Sequence, residues 1–334
     1  MSYSAESEFQ KGFKTQWIVL AVGLVLLVAK FSAFIITSSN AILSDALESI
    51  VNVAAGSIAL YSLYLSAKPK DYNHPYGHGK IEFITAGLEG TMVVFAGLVI
   101  IYKAMRDLIV QPNQVENLDI GLAITLFAGT VNYILGFVLV RKGKSIRSAV
   151  LIADGKHLKS DAYTSLGLLI GLAVVYFSGV LWLDNIIALI FAVIIIVMGV
   201  RIVRESLRDI MDEIDFNEAK TVIESLNKIR RPAWIDVHNL RIIKFGPSLH
   251  IDCHLTIPYY YDMNQGHAEI EFLDEKMNKE LDPNIEFFVH IDPCTFDSCN
   301  ICSMPNCPVR KHKQERKIKW ELENVLMNQK HGGE

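Results

Sequence analysis

Six long apolar runs fill the first two thirds of the chain and constrain its fold more than any other feature. The runs cover residues 17–37, 41–65, 83–108, 118–140, 149–178 and 181–203. Each has roughly 20 to 30 residues, and a helix of that length crosses a hydrocarbon core about 30 Å thick. The sequence therefore predicts an all-α domain of six transmembrane helices in contact with membrane lipid. The mean hydropathy of +0.28, high for a soluble protein, agrees with this prediction.

The distribution of basic residues predicts the orientation of these helices. Lys and Arg are concentrated in the second and fourth loops, whereas the first and fifth loops have none. The basic loop residues are Lys68, Lys70, Lys80, Arg141, Lys142, Lys144 and Arg147. Because cytoplasmic loops carry the excess of Lys and Arg, these loops and both chain termini are predicted to be cytoplasmic. We expect a multi-pass protein of a bacterial inner (plasma) membrane.

The composition argues against several functional classes. A formal charge of -4 and scattered basic clusters give no basic surface of the kind that binds nucleic acid. Five Cys in 334 residues are too few for a disulfide-based scaffold. No nucleophile with a neighbouring base stands out, so an enzyme is not expected.

After Glu205 the sequence takes on the pattern of a soluble α+β domain. Helices are predicted over residues 217–228 and 266–281, and strands over 237–245, 249–259 and 285–291. This order predicts helices on one face of a small sheet. The predicted organisation is a cytoplasmic N-terminal segment (1–14), a transmembrane domain (15–208), a cytoplasmic domain (209–293), a Cys-rich module (294–309) and a charged C-terminal tail (310–334).

Two of the predicted membrane helices each carry a stripe of polar residues. Within each stripe the residues lie three, four and seven positions apart, which places them on one helix face. The stripes consist of Asp45, Glu48 and Asn52, and of Asp154, His157 and Asp161. Ionisable groups are costly in a bilayer, so the stripes indicate a function, and their carboxylate, amide and imidazole groups suit a divalent cation. The alternatives are pairing with Lys30 or Lys159 or a place near a helix end in water, and Asp45 fits an outer or gating role equally well.

The second loop contains Asp71, His74 and His78 within eight residues. One carboxylate and two imidazoles at this spacing can close around one metal ion. A polar turn held by Pro75 and Gly77 explains the same residues equally well.

The soluble domain contains five histidines, His238, His250, His254, His267 and His290, with Asp292 two residues after the last. A lone histidine is more often a packed or surface residue than a ligand. Several on neighbouring strands favour binding of Zn²⁺ or a similar ion, because imidazole and carboxylate are its usual ligands.

Four cysteines, Cys294, Cys299, Cys302 and Cys307, form the pattern C-x4-C-x2-C-x4-C. In a reducing cytoplasm such thiolates are not expected to form disulfides, and they can complete a tetrahedral Zn²⁺ site. An iron-sulfur cluster uses the same ligands, and free or redox-active thiols are the third possibility.

The chain resembles the cation diffusion facilitators in four segments. These are SDALESIVNV in the second apolar run, HPYGHGKIE in the loop after it, DGKHLKSDAYTSLG in the fifth run and HIDPC at the end of the soluble domain. The resemblance implies six transmembrane helices, a ferredoxin-like cytoplasmic domain that binds metal and dimerises, a homodimer, and export of divalent metal, often in exchange for protons.

The resemblance also implies which residues bind metal. The transport site would comprise Glu48, Asn52, His157 and Asp161, with Asp45 on the same face. The loop site would comprise Asp71, His74 and His78, and the cytoplasmic site His238, His254, His267, His290 and Asp292. The chain departs from the family pattern, which usually has His or Asp followed four residues later by Asp, because it has Glu48 and Asn52 instead. At Asn52 it lacks one carboxylate that could bind a metal or a proton.

These observations lead to the expectation of divalent metal efflux by alternating access, with protons moving in exchange. Zn²⁺ is the first expectation from affinity order, whereas the oxygen-rich site also suits Mn²⁺, Fe²⁺ or Co²⁺, and Cd²⁺ is a further possible substrate. A membrane-anchored metal sensor and a metal channel are the alternatives. A channel requires weak binding at several sites, unlike a convergent multidentate site.

Overall fold

The computed structural model describes residues 3–37, 40–109, 118–178, 182–281 and 285–332. The chain divides into two compact units, one that consists of Glu6–Met211 and one that contains Asp212–Glu334 and is grouped with Met1–Ala5. The first is helical and the second contains the sheet, and each is described by itself below.

The N-terminal unit consists of long helices. The described residues form α1 (Tyr3–Thr37), α2 (Asn40–Ser66), α3 (Ile81–Ile109), α4 (Leu118–Ile146), α5 (Ala149–Ser178) and α6 (Trp182–Ile210). Among the described residues, four stretches are long and apolar enough to cross a membrane: Gln10–Ile36, Glu48–Ser66, Ile81–Arg106 and Ala123–Ile146. The helical membrane domain predicted from the apolar runs is therefore present. The N-terminal segment predicted before residue 15 is already helical from Tyr3, as part of α1.

Glycines bring two pairs of these helices into close contact. A Cβ atom added at Gly136 of α4 would lie 2.7 Å from the carbonyl oxygen of Gly155 in α5. In the same way, a Cβ at Gly199 of α6 would lie 2.9 Å from the carbonyl oxygen of Gly90 in α3. Small residues allow this backbone approach between membrane helices, where packing and not hydrophobic burial drives association. The approach of α4 to α5 fixes the rotation of the helix that carries His157.

In the described residues up to Pro293, the second unit forms a three-stranded sheet and two helices. Its elements are α7 (Phe216–Ile229), β1 (Asp236–Phe245), β2 (Ser248–Ile257), α8 (Met263–Glu280) and β3 (Ile285–Pro293), close to the predicted bounds. Asp215 caps α7 by accepting hydrogen bonds from the N–H groups of Asn217 and Glu218, and Asp262 forms a capping box with Gln265 at α8.

Strand pairing in this sheet brings distant histidines together. β1 and β2 are antiparallel, and β2 and β3 are parallel, with α8 as the crossover between them. In this register His254 pairs with His238 on one side and with His290 on the other. The three histidines therefore form a row across the sheet.

The segment after β3 packs onto the core of the same unit. It contains a 3₁₀ helix at Asp297–Asn300 and a short α-helix, α9 (Leu322–Val325). Trp320 and Val325 are fully buried in the cluster that also contains Trp234 and Leu226. The stretch predicted from sequence as a charged tail is therefore held to the domain by buried apolar residues. These residues stand among many charged ones, so the composition of the stretch did not indicate that it packs on the domain.

Candidate metal centres

Helices α2 and α5 join their polar stripes through Asn52. The amide Nδ2 of Asn52 donates to Asp161 Oδ2 over 2.5 Å, and its Oδ1 lies 3.0 Å from His157 Nε2. His157 and Asp161 are almost completely buried, at 2% and 4% exposure. The structure thus brings together three of the residues predicted to form the transport site.

The hydrogen bonds to Asn52 determine which nitrogen of His157 is available to a cation. Because Asn52 Nδ2 is the donor to Asp161, its Oδ1 is an acceptor, and His157 Nε2–H donates to it. The second nitrogen, Nδ1, then carries a lone pair and lies 3.9 Å from Asp161 Oδ1. It is buried and has no hydrogen-bond partner among the described residues. A buried acceptor nitrogen beside a carboxylate oxygen offers two ligand atoms to a cation, which would satisfy both of them.

Glu48 and Asp45 continue the stripe on α2. Glu48 precedes Asn52 by one turn of α2 and interacts electrostatically with His157. Asp45 lies in α2 as well, but its side chain is outside the part of the chain that the structure describes. Its assignment to the site therefore stays a prediction.

A second buried polar group adjoins this cluster. Gln16 of α1 donates to Asp154 Oδ2 over 2.6 Å, and both side chains are buried. Glu89 of α3 interacts electrostatically with Asp154, and neither of its carboxylate oxygens has a hydrogen-bond partner among the described residues. Asp154 also lines a cavity together with Asn52 and Asn132. The helical spacing of Asp154, His157 and Asp161 had predicted that Asp154 belongs to the polar stripe of α5. Gln16 is not part of any such pattern, so the sequence did not single it out.

Glu82 is a buried residue that the sequence did not single out. It accepts a hydrogen bond from Ser66 at the end of α2 over 2.7 Å and another from Ser148 immediately before α5. The Glu82 carboxylate thus links the start of α3 to the C-terminal end of α2 and to the residue before the N-terminus of α5.

The loop between α2 and α3 brings Asp71, His74 and His78 together, with ligand atoms within 4.8 Å of one another. His74 Nδ1 lies 3.0 Å from Asp71 Oδ1, and His78 Nε2 lies 3.3 Å from Asp71 Oδ2. A hydrogen bond from the His74 backbone N–H lowers the pKa of Asp71 and so keeps the carboxylate ionised. The turn is also held by Gly77, whose φ of +88° suits glycine. The residues thus form a polar turn and a set of ligands at the same time.

In the sheet domain the ligand atoms of His238, His254 and Asp292 also lie within 4.8 Å of one another. Asp292 Oδ2 is 3.3 Å from His238 Nε2 and 3.1 Å from His254 Nδ1. His238 Nδ1 lies 3.4 Å from the buried Asp236, which can orient the ring as outer-shell carboxylates do.

The other two histidines predicted for this site occupy its margin or lie elsewhere. The ring of His290 is 4.7 Å from that of His254, and its Nε2 is 3.8 Å from Asp292 Oδ1. His267 is on α8, where it pairs with Glu271 at 3.4 Å. Both side chains are about two thirds exposed, at 67% and 68%. Within one chain, the described site is therefore a triad with His290 beside it.

The end of the chain contacts the carboxylates of this triad. Lys330 Nζ lies 3.4 Å from Asp292 Oδ1, and His331 Nδ1 lies 2.7 Å from Asp236 Oδ1. Burial by itself would raise the pKa of Asp292, but the hydrogen bond with His254 and the charge of Lys330 outweigh it and lower the pKa. A cationic side chain of the protein thus already occupies one oxygen of a predicted metal ligand.

The four clustered cysteines, Cys294, Cys299, Cys302 and Cys307, are free thiols. Among the described residues, no three of their sulfur atoms lie within 4.8 Å of one another, unlike the ligand atoms of the other two groups. Their assignment as metal ligands stays a prediction.

Comparison with known proteins places this chain in a family. Residues 16–211 match the cation efflux transmembrane domain, and residues 211–294 match the cation efflux protein cytoplasmic domain. An uncharacterised transporter of Synechocystis sp. is 31% identical over 83% of this chain and 89% of its own length. The manganese efflux system protein MneP of Bacillus subtilis is 25% identical over 84% of this chain and 95% of its own length.

The cation-efflux pump FieF of Pectobacterium atrosepticum is 26% identical over 82% of this chain and 90% of its own length. All three matches extend over most of both chains, so they include the membrane helices as well as the sheet domain. The chain therefore belongs to the cation efflux family, whose members are metal ion transporters of the membrane and not enzymes.

Proposed function

We propose that the protein exports a divalent transition metal from the cytoplasm by alternating access, through a site formed by Glu48, Asn52, His157 and Asp161. One observation carries the proposal: the buried His157 Nδ1 has no hydrogen-bond partner in the described part of the chain and lies 3.9 Å from Asp161 Oδ1. A polar acceptor left unpaired in an apolar helical domain costs free energy, which a bound cation recovers. We propose six membrane spans with cytoplasmic termini in a bacterial inner membrane as its setting.

Mn²⁺ is the substrate that we propose first, with Zn²⁺ as its main competitor. Three of the four ligands offer oxygen, two from carboxylates and one from the Asn52 amide, and oxygen ligands suit Mn²⁺ better than they suit softer ions. A relative that is 25% identical over 84% of this chain is named a manganese efflux system protein. Affinity order favours Zn²⁺ at any such site, so the choice depends on site geometry and on metal supply.

Proton exchange follows from competition at the same ligands. A metal ion binds His157 only through a deprotonated nitrogen, and it binds carboxylates in their ionised form, so its entry displaces protons. Protons that enter from the opposite side of the membrane then displace the metal. We propose this antiport as the source of energy for export.

The cytoplasmic triad is proposed as a second metal site, with a regulatory function. His238, His254 and Asp292 supply three ligands. The exposed His290 and His267 are available to a site shared between two copies, and we propose that this domain is ferredoxin-like and dimerises. Bound metal would then tighten the homodimer, because it stabilises only the associated form.

Flux into proteoliposomes tests the transport proposal. Purified protein is reconstituted with an internal metal-sensitive dye, and Mn²⁺, Zn²⁺, Fe²⁺, Co²⁺ and Cd²⁺ are compared with and without a pH gradient. We expect gradient-dependent flux of Mn²⁺, and a loss of that dependence when a protonophore collapses the gradient. Absence of flux for every metal, together with tight metal binding by the same protein, would refute transport and favour a membrane-anchored sensor.

A further inference from the structure

The chain continues beyond the part that matches the family and carries a cluster of thiols there. The family match ends at residue 294, and residues 295–332 follow it in the described structure. Over those residues the described regular structure consists of two helices of four residues each. Buried Trp320 and Val325 anchor this segment, and a disulfide or a bound metal is a usual further support where regular structure is so sparse. The four cysteines are free, so a disulfide does not fill that role.

Two of the four cysteines share one apolar cluster. Cys302 is buried with Ile235 and Ile301, and Cys294 packs against the same cluster. Cys294 directly follows β3, and its backbone N–H donates to the carbonyl of Ile257 over 2.9 Å. The thiols are therefore fixed to the end of the sheet at one side and to the added segment at the other.

Hydrogen-bond donors are directed at three of the four sulfur atoms. The backbone N–H of Tyr259 lies 3.4 Å from Cys294 Sγ, and Arg310 Nη2 lies 3.8 Å from Cys302 Sγ. The side chain of Tyr260 forms a hydrogen bond with Cys307. Donors of this kind form the outer shell of metal-bound thiolates, where they disperse the charge on sulfur.

Arg310 holds the loop that carries these thiols. Its guanidinium donates to the carbonyl oxygens of Cys299, Cys302 and Met304 over 3.3, 3.2 and 2.8 Å. A tetrathiolate zinc centre has a net charge of -2, so a guanidinium at this position also offsets its charge.

We propose that Cys294, Cys299, Cys302 and Cys307 bind one Zn²⁺ ion as a tetrathiolate that fastens residues 295–332 to the sheet domain. Binding draws the four sulfur atoms together and releases their four protons: four thiols and Zn²⁺ give one zinc tetrathiolate of charge -2 and four H⁺. This site is separate from the transport site and does not depend on the proposed transport function.

Cobalt substitution of the full-length protein in detergent tests the site. Co²⁺ bound to thiolates gives an intense sulfur-to-metal charge-transfer absorption in the near ultraviolet, which histidine and carboxylate sites do not give. We expect this band in the wild type, and its titration by one equivalent of Zn²⁺. The double variant Cys299→Ser/Cys302→Ser should lose the band and one equivalent of bound zinc. The matched control Cys253→Ala removes the one cysteine outside the cluster and should retain both.

A second measurement on the wild type covers the case in which the double variant does not fold. With Zn²⁺ bound, the four cysteines should resist alkylation. Mass spectrometry measures the alkylation of each cysteine separately. Addition of a strong chelator should make all four reactive together. Alkylation that ignores Zn²⁺ and the chelator, or a missing charge-transfer band in the folded wild type, would overturn the proposal. Stoichiometric iron with acid-labile sulfide would overturn the assignment to zinc.

Discussion

Asn52 and Asp161 meet across the contact of α2 and α5, with the amide N–H donating to the carboxylate over 2.5 Å. An amide can satisfy this carboxylate without a metal ion, because it supplies both a donor for Asp161 and an acceptor for His157. A second carboxylate in this position could not donate, and two facing carboxylates require a proton or a cation between them. The residue at position 52 therefore determines how strongly the site attracts positive charge.

The variant Asn52→Asp should bind divalent metal more tightly and release it less readily. We expect an increase of about tenfold in Zn²⁺ affinity at neutral pH, equivalent to about 1.4 kcal/mol. The increase should shrink at lower pH, because protons compete for the added carboxylate. Equilibrium metal binding and proteoliposome flux at two pH values check this. Unchanged affinity and selectivity would show that residue 52 is not a ligand.

The variant Asp161→Ala should lose transport and still fold, because it removes the carboxylate beside His157 Nδ1. The matched control is Lys159→Met on the same helix, whose ammonium lies over the rings of Tyr133 and Phe137, 5.7 and 5.4 Å from their centroids. We expect near wild-type flux from the control and background flux from Asp161→Ala, with equal yields of monodisperse protein. Flux at the wild-type rate in Asp161→Ala would remove that residue from the site.

The variant Lys330→Met should raise the metal affinity of the cytoplasmic triad. Lys330 Nζ lies 3.4 Å from Asp292 Oδ1, so a metal ion that takes this oxygen must displace the ammonium. Partly exposed ion pairs of this type contribute up to about 1 kcal/mol, which corresponds to an affinity gain of about twofold to fivefold. Calorimetric titration of the full-length protein with Zn²⁺ measures this gain in affinity. Lys319→Met, which removes an ion pair with Glu321 instead, serves as the control and should leave the affinity unchanged.

The variant Asp215→Ala should destabilise α7 by about 1 kcal/mol at neutral pH, because the N–H groups of Asn217 and Glu218 lose their acceptor. Burial alone would raise the pKa of Asp215, but the charge of Lys244 and these two hydrogen bonds lower it. A carboxyl with a lowered pKa in the folded state stabilises above the unfolded pKa of about 3.9, and this stabilisation is lost as the pH falls through the folded value.

Hydrogen exchange of the peptide that covers α7 measures this effect in the intact protein. Exchange should be faster in Asp215→Ala than in the wild type at pH 7, and the difference should narrow below about pH 4. Asp215→Asn retains a capping side chain without the charge and should fall between the two. A difference that persists undiminished at low pH would mean that the ionised form of Asp215 has no special role.

Local sequence patterns were sufficient to predict helices and strands and to group some residues of the candidate transport site. The predicted helix over residues 217–228 and the predicted strand over 237–245 differ from α7 and β1 by one residue at each end or less. The intervals of three, four and seven residues placed Asn52, His157 and Asp161 on two polar helix faces, and the structure brings these three side chains into contact. Helical periodicity and chain motifs are properties of neighbouring residues, so a sequence displays them directly.

The other contacts of the candidate sites depend on residues that are far apart in the sequence. Gln16 and Asp154 are 138 positions apart and bond only because α1 packs against α5, while Lys330 reaches Asp292 only because Trp320 and Val325 anchor the segment before it. His267, placed by resemblance with the cytoplasmic ligands, lies apart on α8 within one chain. The sequence by itself determined the helices, the strands and the kinds of polar side chain in the candidate sites. The tertiary structure alone decided which of these side chains meet, because helix rotation and strand register depend on packing across the whole unit.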